Sequence, residues 1–260
     1  MISRGLTLCT FLAASAAVLP LTAYAACDVR SGPNTAALVE LYTSEGCSSC
    51  PPADQQLGRL REALDSSAEV VPLALHVGYW DYIGWKDPYA QGKFGDRQSW
   101  LVRANQQKTV YTPQFFVSGA ELRGWRSGLR YKVRELNAQP AAAAIHVSAN
   151  LTPTGALALK AEATAHAGAG PAALYLALAE SGIVSKVERG ENGGVTLVHD
   201  HVARVWIGPV RLTDGAARVQ RDVALPAAWN RARLEVVAFV QNERTGEVLQ
   251  AVSANQCAGS

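Results

Sequence analysis

Cys47 and Cys50 stand three apart in the run Cys47-Ser48-Ser49-Cys50-Pro51-Pro52, a spacing that lets two sulfurs alternate between disulfide and dithiol. Behind them Ala53, Leu57, Leu60 and Leu64 recur at helical spacing. Pro51 and Pro52 take the opening positions, where a missing amide costs nothing. The pair therefore lies at a helix N-terminus, where unpaired backbone amides and the positive end of the dipole stabilise a thiolate. In that arrangement Cys47 is expected to be the more exposed sulfur, capturing a substrate sulfur in a mixed disulfide, with Cys50 one turn inward as the resolving thiol. Ser48 and Ser49 bring no positive charge and Glu45 opposes ionisation, so an extreme oxidant is not expected. The bland alternatives are an inert disulfide or half of a zinc site. A closed zinc site needs four ligands, and the sequence holds no second C-x-x-C to supply them.

His76 ends an apolar run and is a candidate proton shuttle. It is equally a hydrogen-bonded histidine at a sheet edge, or a third ligand with Cys47 and Cys50 for copper, since soft thiolates select Cu(I). Trp80, Asp81, Trp85, Lys86 and Asp87 read as a substrate rim or as a packed aromatic flap. His199-Asp200-His201 places two imidazoles on one face if the segment is a strand. A lone H-x-H is a weak metal signal and reads as a structural or surface feature.

These residues need elements to position them. Residues 36–42 form an apolar run that stops at Thr43-Ser44-Glu45-Gly46, a buried strand meeting a turn. Residues 70–77 give a second apolar strand, so strand, helix and strand imply a parallel pair with a right-handed crossover. The aromatic stretch 78–90 reads as a structured excursion, and a polar helix is expected over 94–107. Residues 114–117, a turn at Ser118-Gly119 and a return near Glu121-Leu122 describe a hairpin. A helix over 129–136 closes this part. Beyond Gln139-Pro140 the pattern changes to alternating segments at 145–151, 156–164, 173–179, 202–207, 217–223 and 234–241, a β-sandwich signature.

With 18% charged residues and a formal net charge of +2, the chain offers no large basic surface, which argues against nucleic acid as a partner. A charged start at Arg4, an apolar core over 6–21 and small residues before Cys27 read as a secretory signal over residues 1–26. No later stretch approaches the roughly 20 apolar residues of a membrane span. The protein is expected to be periplasmic or secreted. A lipid anchor on Cys27 is the competing form, although Tyr24 stands where a lipoprotein signal usually has Leu. Once Cys9 leaves with the signal, four cysteines remain, and with Cys47 and Cys50 adjacent, Cys27 and Cys257 are natural mates. Their disulfide would be worth about 4 to 5 kcal/mol by loop entropy.

The run Glu40-Leu41-Tyr42-Thr43-Ser44-Glu45-Gly46-Cys47-Ser48-Ser49-Cys50-Pro51-Pro52-Ala53-Asp54 resembles an uncharacterised family of secreted bacterial proteins with a thioredoxin-like fold, known only as a domain of unknown function. The resemblance extends to residues 76–87, to Val110-Tyr111-Thr112-Pro113-Gln114, and to Gly190-Glu191-Asn192-Gly193-Gly194 running on to His199-Asp200-His201-Val202. The family commonly has Asp where Gly78 stands here. The resemblance implies an α/β thioredoxin-like domain over 27–139, followed by a mainly β, sandwich-like domain over 140–260. In thioredoxin-like folds a cis proline stands beside the cysteine pair and exposes backbone to an extended substrate. That role falls to Pro113, with Thr112, Tyr111 and Trp80 facing the substrate, the alternative being an ordinary trans turn proline.

The expected function is thiol-disulfide exchange through Cys47 and Cys50, without a cofactor, on a protein or small thiol or a redox partner. A copper-binding protein and a non-enzymatic interaction protein with a structural disulfide are the alternatives. The sequence carries no signal for oligomeric state.

Overall fold

Two apolar runs without polar alternation become strands buried along their whole length, β2 and β3 below, as strands covered on both faces must be. The computed structural model describes Met1, residues 27–255 and Cys257. Apart from Met1, the signal expected over residues 1–26 lies outside the described residues, and Cys9 with it. In chain order the elements are β1 (Cys27–Arg30), β2 (Ala37–Thr43), α1 (Pro51–Gly58), α2 (Leu60–Ala63), β3 (Val70–His76), α3 (Gly92–Ala104), β4 (Gln114–Val117), β5 (Ala120–Glu121) and α4 (Trp125–Asn137). There follow β6 (Ala143–Leu151), β7 (Leu157–Ala165), β8 (Ala172–Glu180), β9 (Ile183–Lys186), β10 (Thr196–His199), β11 (Val202–Arg211), β12 (Ala216–Val223), β13 (Leu234–Asn242) and β14 (Val248–Asn255). The structure is mostly β.

An eight-stranded sheet runs β14-β13-β8-β11-β3-β2-β4-β5, a four-stranded sheet runs β1-β6-β7-β12, and β9 and β10 form a hairpin of their own. β2 and β3 are parallel, with Thr43 opposite His76, and β4 lies antiparallel on the other side of β2.

Side chains alternate across the large sheet. Leu38, Tyr42, Leu75 and Phe239 meet Phe94 and Leu101 of α3 on one face. On the other face Val39, Leu41 and Ala74 lie with Leu57 of α1 and Leu129 of α4. Farther along the same face Leu174, Leu176 and Val236 pack against Ile145, Val147 and Leu159 of the four-stranded sheet.

The sheet-on-sheet packing expected after residue 140 is present, but position 139/140 is not a break in the architecture. β11 pairs with β3 at Val202 and Ala74, and β1 crosses over to pair with β6. One sheet thus takes strands from both sides of the expected boundary. Change of composition marks a change of patterning, whereas hydrogen bonding follows which edges would otherwise be left open.

Candidate functional site

β2 delivers the chain to the turn Ser44-Glu45-Gly46, and the cysteines follow directly. The Cys47 N–H donates to the Ser44 carbonyl at 3.1 Å and the Cys50 N–H to the Cys47 carbonyl at 3.1 Å. The Cys50 carbonyl then accepts the N–H groups of Ala53 and Asp54 at 2.8 and 3.1 Å. Cys50 is therefore the N-cap of α1, with Pro51 and Pro52 in its first turn. The two sulfurs form a disulfide.

Neither cysteine is accessible. Cys47 and Cys50 are both 0% exposed, while Ser48 and Ser49 between them face solvent. The expectation that Cys47 is the more exposed sulfur is corrected, and the cause is a cover drawn from distant sequence. Asn192 donates its side-chain amide to the carbonyls of Glu45 and Cys47 at 2.8 and 3.0 Å. Glu191 Oε2 accepts the Ser48 N–H at 3.0 Å and the Ser48 hydroxyl at 2.7 Å. On another side Trp80 presses on the turn: a Cβ added to Gly46 would stand 3.0 Å from the Trp80 Cβ, so a larger residue would have to push Trp80 back by a few tenths of an ångström.

The Thr112–Pro113 peptide bond is cis. The register of β4 on β2, with Gln114 opposite Tyr42, sets Pro113 at the end of β2 from which the cysteine turn departs. Trp80 joins this loop by donating its indole N–H to Thr112 Oγ1 at 2.7 Å. Tyr111 instead turns its hydroxyl to Glu121 of β5 at 2.7 Å; burial and this carboxylate push the phenol up to about 12.

A buried set of ionisable groups gathers beside the pair. His76 Nδ1 lies 2.7 Å from Asp87 Oδ2, and the same carboxylate oxygen accepts the Glu45 N–H at 2.9 Å. Glu45 is 0% exposed. Its Oε1 lies 3.0 Å from His199 Nε2, and its Oε2 accepts the Trp85 indole N–H at 2.8 Å. The His76 and His199 rings meet edge to face with centroids 5.0 Å apart, and among the described residues His76 Nε2 and His199 Nδ1 have no hydrogen-bond partner.

The environment sets the protonation of each group. Burial would lower the His76 imidazole, but the charge and hydrogen bond of Asp87, with Asp54 and Glu45, hold it above its ordinary range. Burial would raise Asp87, yet His76 and the backbone donors of Glu45 and Tyr89 keep it below. Glu45 is likewise held low, hydrogen bonds from His199, Ser185 and Trp85 outweighing burial. Asp54, one turn beyond Cys50, is the exception: burial pushes its carboxyl up despite His76 and His199 nearby.

The H-x-H pair is split. His201 has a positive φ of 58°, which turns its ring away from that of His199 and toward Glu235, Nδ1 to Oε2 at 3.0 Å. Both imidazoles are buried rather than on the surface, and Asp200 between them packs on α1, its Oδ2 standing 2.6 Å from where a Cβ on Gly58 would be. Among the described residues, no three His, Cys, Asp or Glu side chains come together as a metal-binding group. Cys27 is bonded to Cys257, with Cα atoms 4.9 Å apart, so its sulfur has no thiol left to carry a lipid.

Of the residues singled out in the sequence, His76 lies in the buried set and Pro113 at the end of β2 from which the cysteine turn departs; Glu45 as an acceptor, His199 as its partner, and Asn192 and Glu191 as the cover were not foreseen. The visible signal was Gly190-Glu191-Asn192-Gly193-Gly194, polar side chains framed by glycines, to which no role was assigned.

No helix among the described residues is long and apolar enough to cross a membrane. No curated protein matches the chain. Among solved structures it is similar to protein AGR_C_4864 from Agrobacterium tumefaciens, with 24% identity and a TM-score of 0.62, covering 87% of this chain and 96% of that one. It is also similar to HBP35 of Porphyromonas gingivalis, with 17% identity and a TM-score of 0.66, covering 86% of this chain and 76% of that one. At these identities the likeness is one of fold. The family described as "Protein of unknown function (DUF1223)" matches residues 38–241, and the chain belongs to that family.

Proposed function

We propose that this protein is a thiol-disulfide oxidoreductase of an oxidising, extracytoplasmic compartment, acting through Cys47 and Cys50 on a thioredoxin-like arrangement of β2, α1, β3 and β4. The observation that carries the reading is the disulfide set directly at the first turn of α1, with His76, Asp87, Glu45 and His199 buried nearby. Two disulfides in one chain fit an oxidising compartment.

In the oxidising direction a substrate thiolate attacks Cys47 Sγ. The Cys47–Cys50 bond breaks, a mixed disulfide forms, and the electron pair leaves on Cys50, whose thiolate is stabilised by the positive end of the α1 dipole before it takes a proton. A second substrate thiolate then attacks the substrate sulfur of the mixed disulfide and releases Cys47. The substrate dithiol has become a disulfide and the protein's disulfide a dithiol, which a second disulfide-bearing partner reoxidises. The reverse sequence reduces a substrate. His76, held by Asp87, serves as the proton shuttle, and Thr112 and Pro113 with Trp80 form the substrate-facing edge.

The test is a trap. With Cys50 changed to Ala, the Cys47 thiolate should attack a model peptide that carries a disulfide, releasing one peptide thiolate and holding the other sulfur in a mixed disulfide visible by non-reducing mass analysis, and the unaltered protein should cycle between its disulfide and dithiol states with a dithiol peptide. Absence of both sinks the proposal.

The full burial of both sulfurs favours one second reading, an inert structural disulfide in an interaction protein. Under it, mild reductant would leave the pair oxidised until the protein unfolds.

A further inference from the structure

We infer that the β9–β10 hairpin is a gate over the Cys47–Cys50 disulfide, latched on Glu45, and that an extended polypeptide is the substrate shaped to lift it. The inference rests on the redox reading of the pair and names the substrate class that reading left open.

The hairpin is built to move as a unit. Among the described residues its strands pair only with each other and belong to neither large sheet, so lifting it breaks no strand pairing in the core. Its outer side chains Val184 and Val198 are exposed. Gly190 and Gly194, which frame the tip, have φ of 78° and 85°, a region that glycine enters freely and other residues rarely do.

Beyond the packing of Val187 and Leu197 beneath it, its side-chain hydrogen bonds converge on one short stretch of chain. At the base His199 grips the Glu45 carboxylate. At the tip Asn192 supplies N–H groups to the carbonyls of Glu45 and Cys47, and Glu191 supplies an acceptor to the Ser48 N–H. These are main-chain groups flanking the reactive sulfur. An extended peptide carrying its own cysteine offers the same two functions, an N–H and a C=O, and can exchange them one for one with the tip. A small thiol has neither and meets sulfurs that are 0% exposed.

The experiment follows reduction of Cys47–Cys50 in the protein with both disulfides intact, by dithiothreitol and separately by a dithiol peptide, using alkylation and mass mapping. In each case the reagent's two thiols become a disulfide as the pair becomes a dithiol, and Cys27–Cys257 is the internal control. Asn192→Ala and Glu191→Ala are compared with the unaltered chain. Glu191 is exposed, so its variant leaves the core untouched even if Asn192→Ala disturbs folding.

The gate requires that both substitutions speed reduction by dithiothreitol roughly tenfold, with the control bond unchanged, and that the peptide outpaces dithiothreitol only while the gate is intact. Equal dithiothreitol rates in all three proteins overturn the gate, even if the unaltered protein oxidises the peptide and so keeps its proposed activity. Faster reduction in the variants without peptide oxidation by any of the three upholds the gate as a barrier but overturns the substrate class and the oxidoreductase reading together.

Discussion

His76 and Asp87 share a hydrogen bond of 2.7 Å, Nδ1 to Oδ2, with side chains 0% and 1% exposed. The same oxygen of Asp87 receives the backbone N–H of Glu45, so one carboxylate fixes both the imidazole and the turn that leads to the cysteines. The imidazole is raised and the carboxylate lowered by their union.

That coupling predicts a titration. Replacing Asp87 with Asn leaves burial as the dominant influence on His76, and its pKa should fall below the ordinary histidine value, read from the ring proton shifts by NMR. The stability due to His76 is complete below its unfolded pKa and disappears as pH rises through the raised folded value. The part due to Asp87 is complete above the unfolded carboxylate pKa and disappears as pH falls through the lowered one. The pair therefore stabilises most in the window between them, and Asp87→Asn should flatten the stability profile there. An unchanged His76 titration in the variant would refute the coupling.

Glu235 predicts the acid limb. It lies between Arg61 and His201; burial would raise its carboxyl, but the His201 hydrogen bond and the Arg61 charge bring it down from 4.5 to about 2. A lowered carboxylate stabilises the fold above its unfolded pKa, and that contribution drains away as pH falls from 4.5 toward 2. It amounts to roughly 3 kcal/mol at most. Glu235→Gln should lose stability near neutrality and show a shallower decline in this acid range, measured by urea unfolding at stepped pH.

Glu40 and Arg97 predict the cost of an orphaned charge. Nε meets Oε1 at 2.7 Å and Nη2 meets Oε2 at 3.1 Å, while the guanidinium carbon sits 5.0 to 5.2 Å from the ring centres of Trp206, Phe239 and Tyr175. Glu40→Ala would strand this cation among aromatic rings between the sheet and α3. Removing one partner of such a pair costs about 3–5 kcal/mol, so the denaturation midpoint should fall accordingly. Arg97→Met with Glu40→Leu, which removes both charges, should recover most of it.

The elements that hold the cysteines announce themselves locally. β2 and β3 are unbroken apolar runs, α1 opens on two prolines, and β4 precedes a Ser-Gly turn, so each could be placed from its own neighbourhood. What escaped is long-range or polar. The burial of Cys47 comes from Asn192, 145 positions away, and no local pattern signals it. β14 lacks clean alternation because Gln250 is buried to serve the backbone, accepting the Ala36 N–H and donating to the carbonyls of Gly32 and Asn34. The short strands β9 and β10, four residues each, are too brief to show a period. The alternation rule placed both histidines of the H-x-H on one face, and the positive φ at His201 undid it.

The seam between β3 and β11 at Ala74 and Val202 bears on how the molecule is assembled and handled. β3 is synthesised well before β11, so the growing polypeptide must leave that border of hydrogen-bonding groups waiting until the later strand emerges. Cutting the gene after codon 139 would make the wait permanent. Each fragment would then carry a raw strand margin able to zip onto its own copies, and the two pieces, expressed together, should find each other along this line rather than fold side by side.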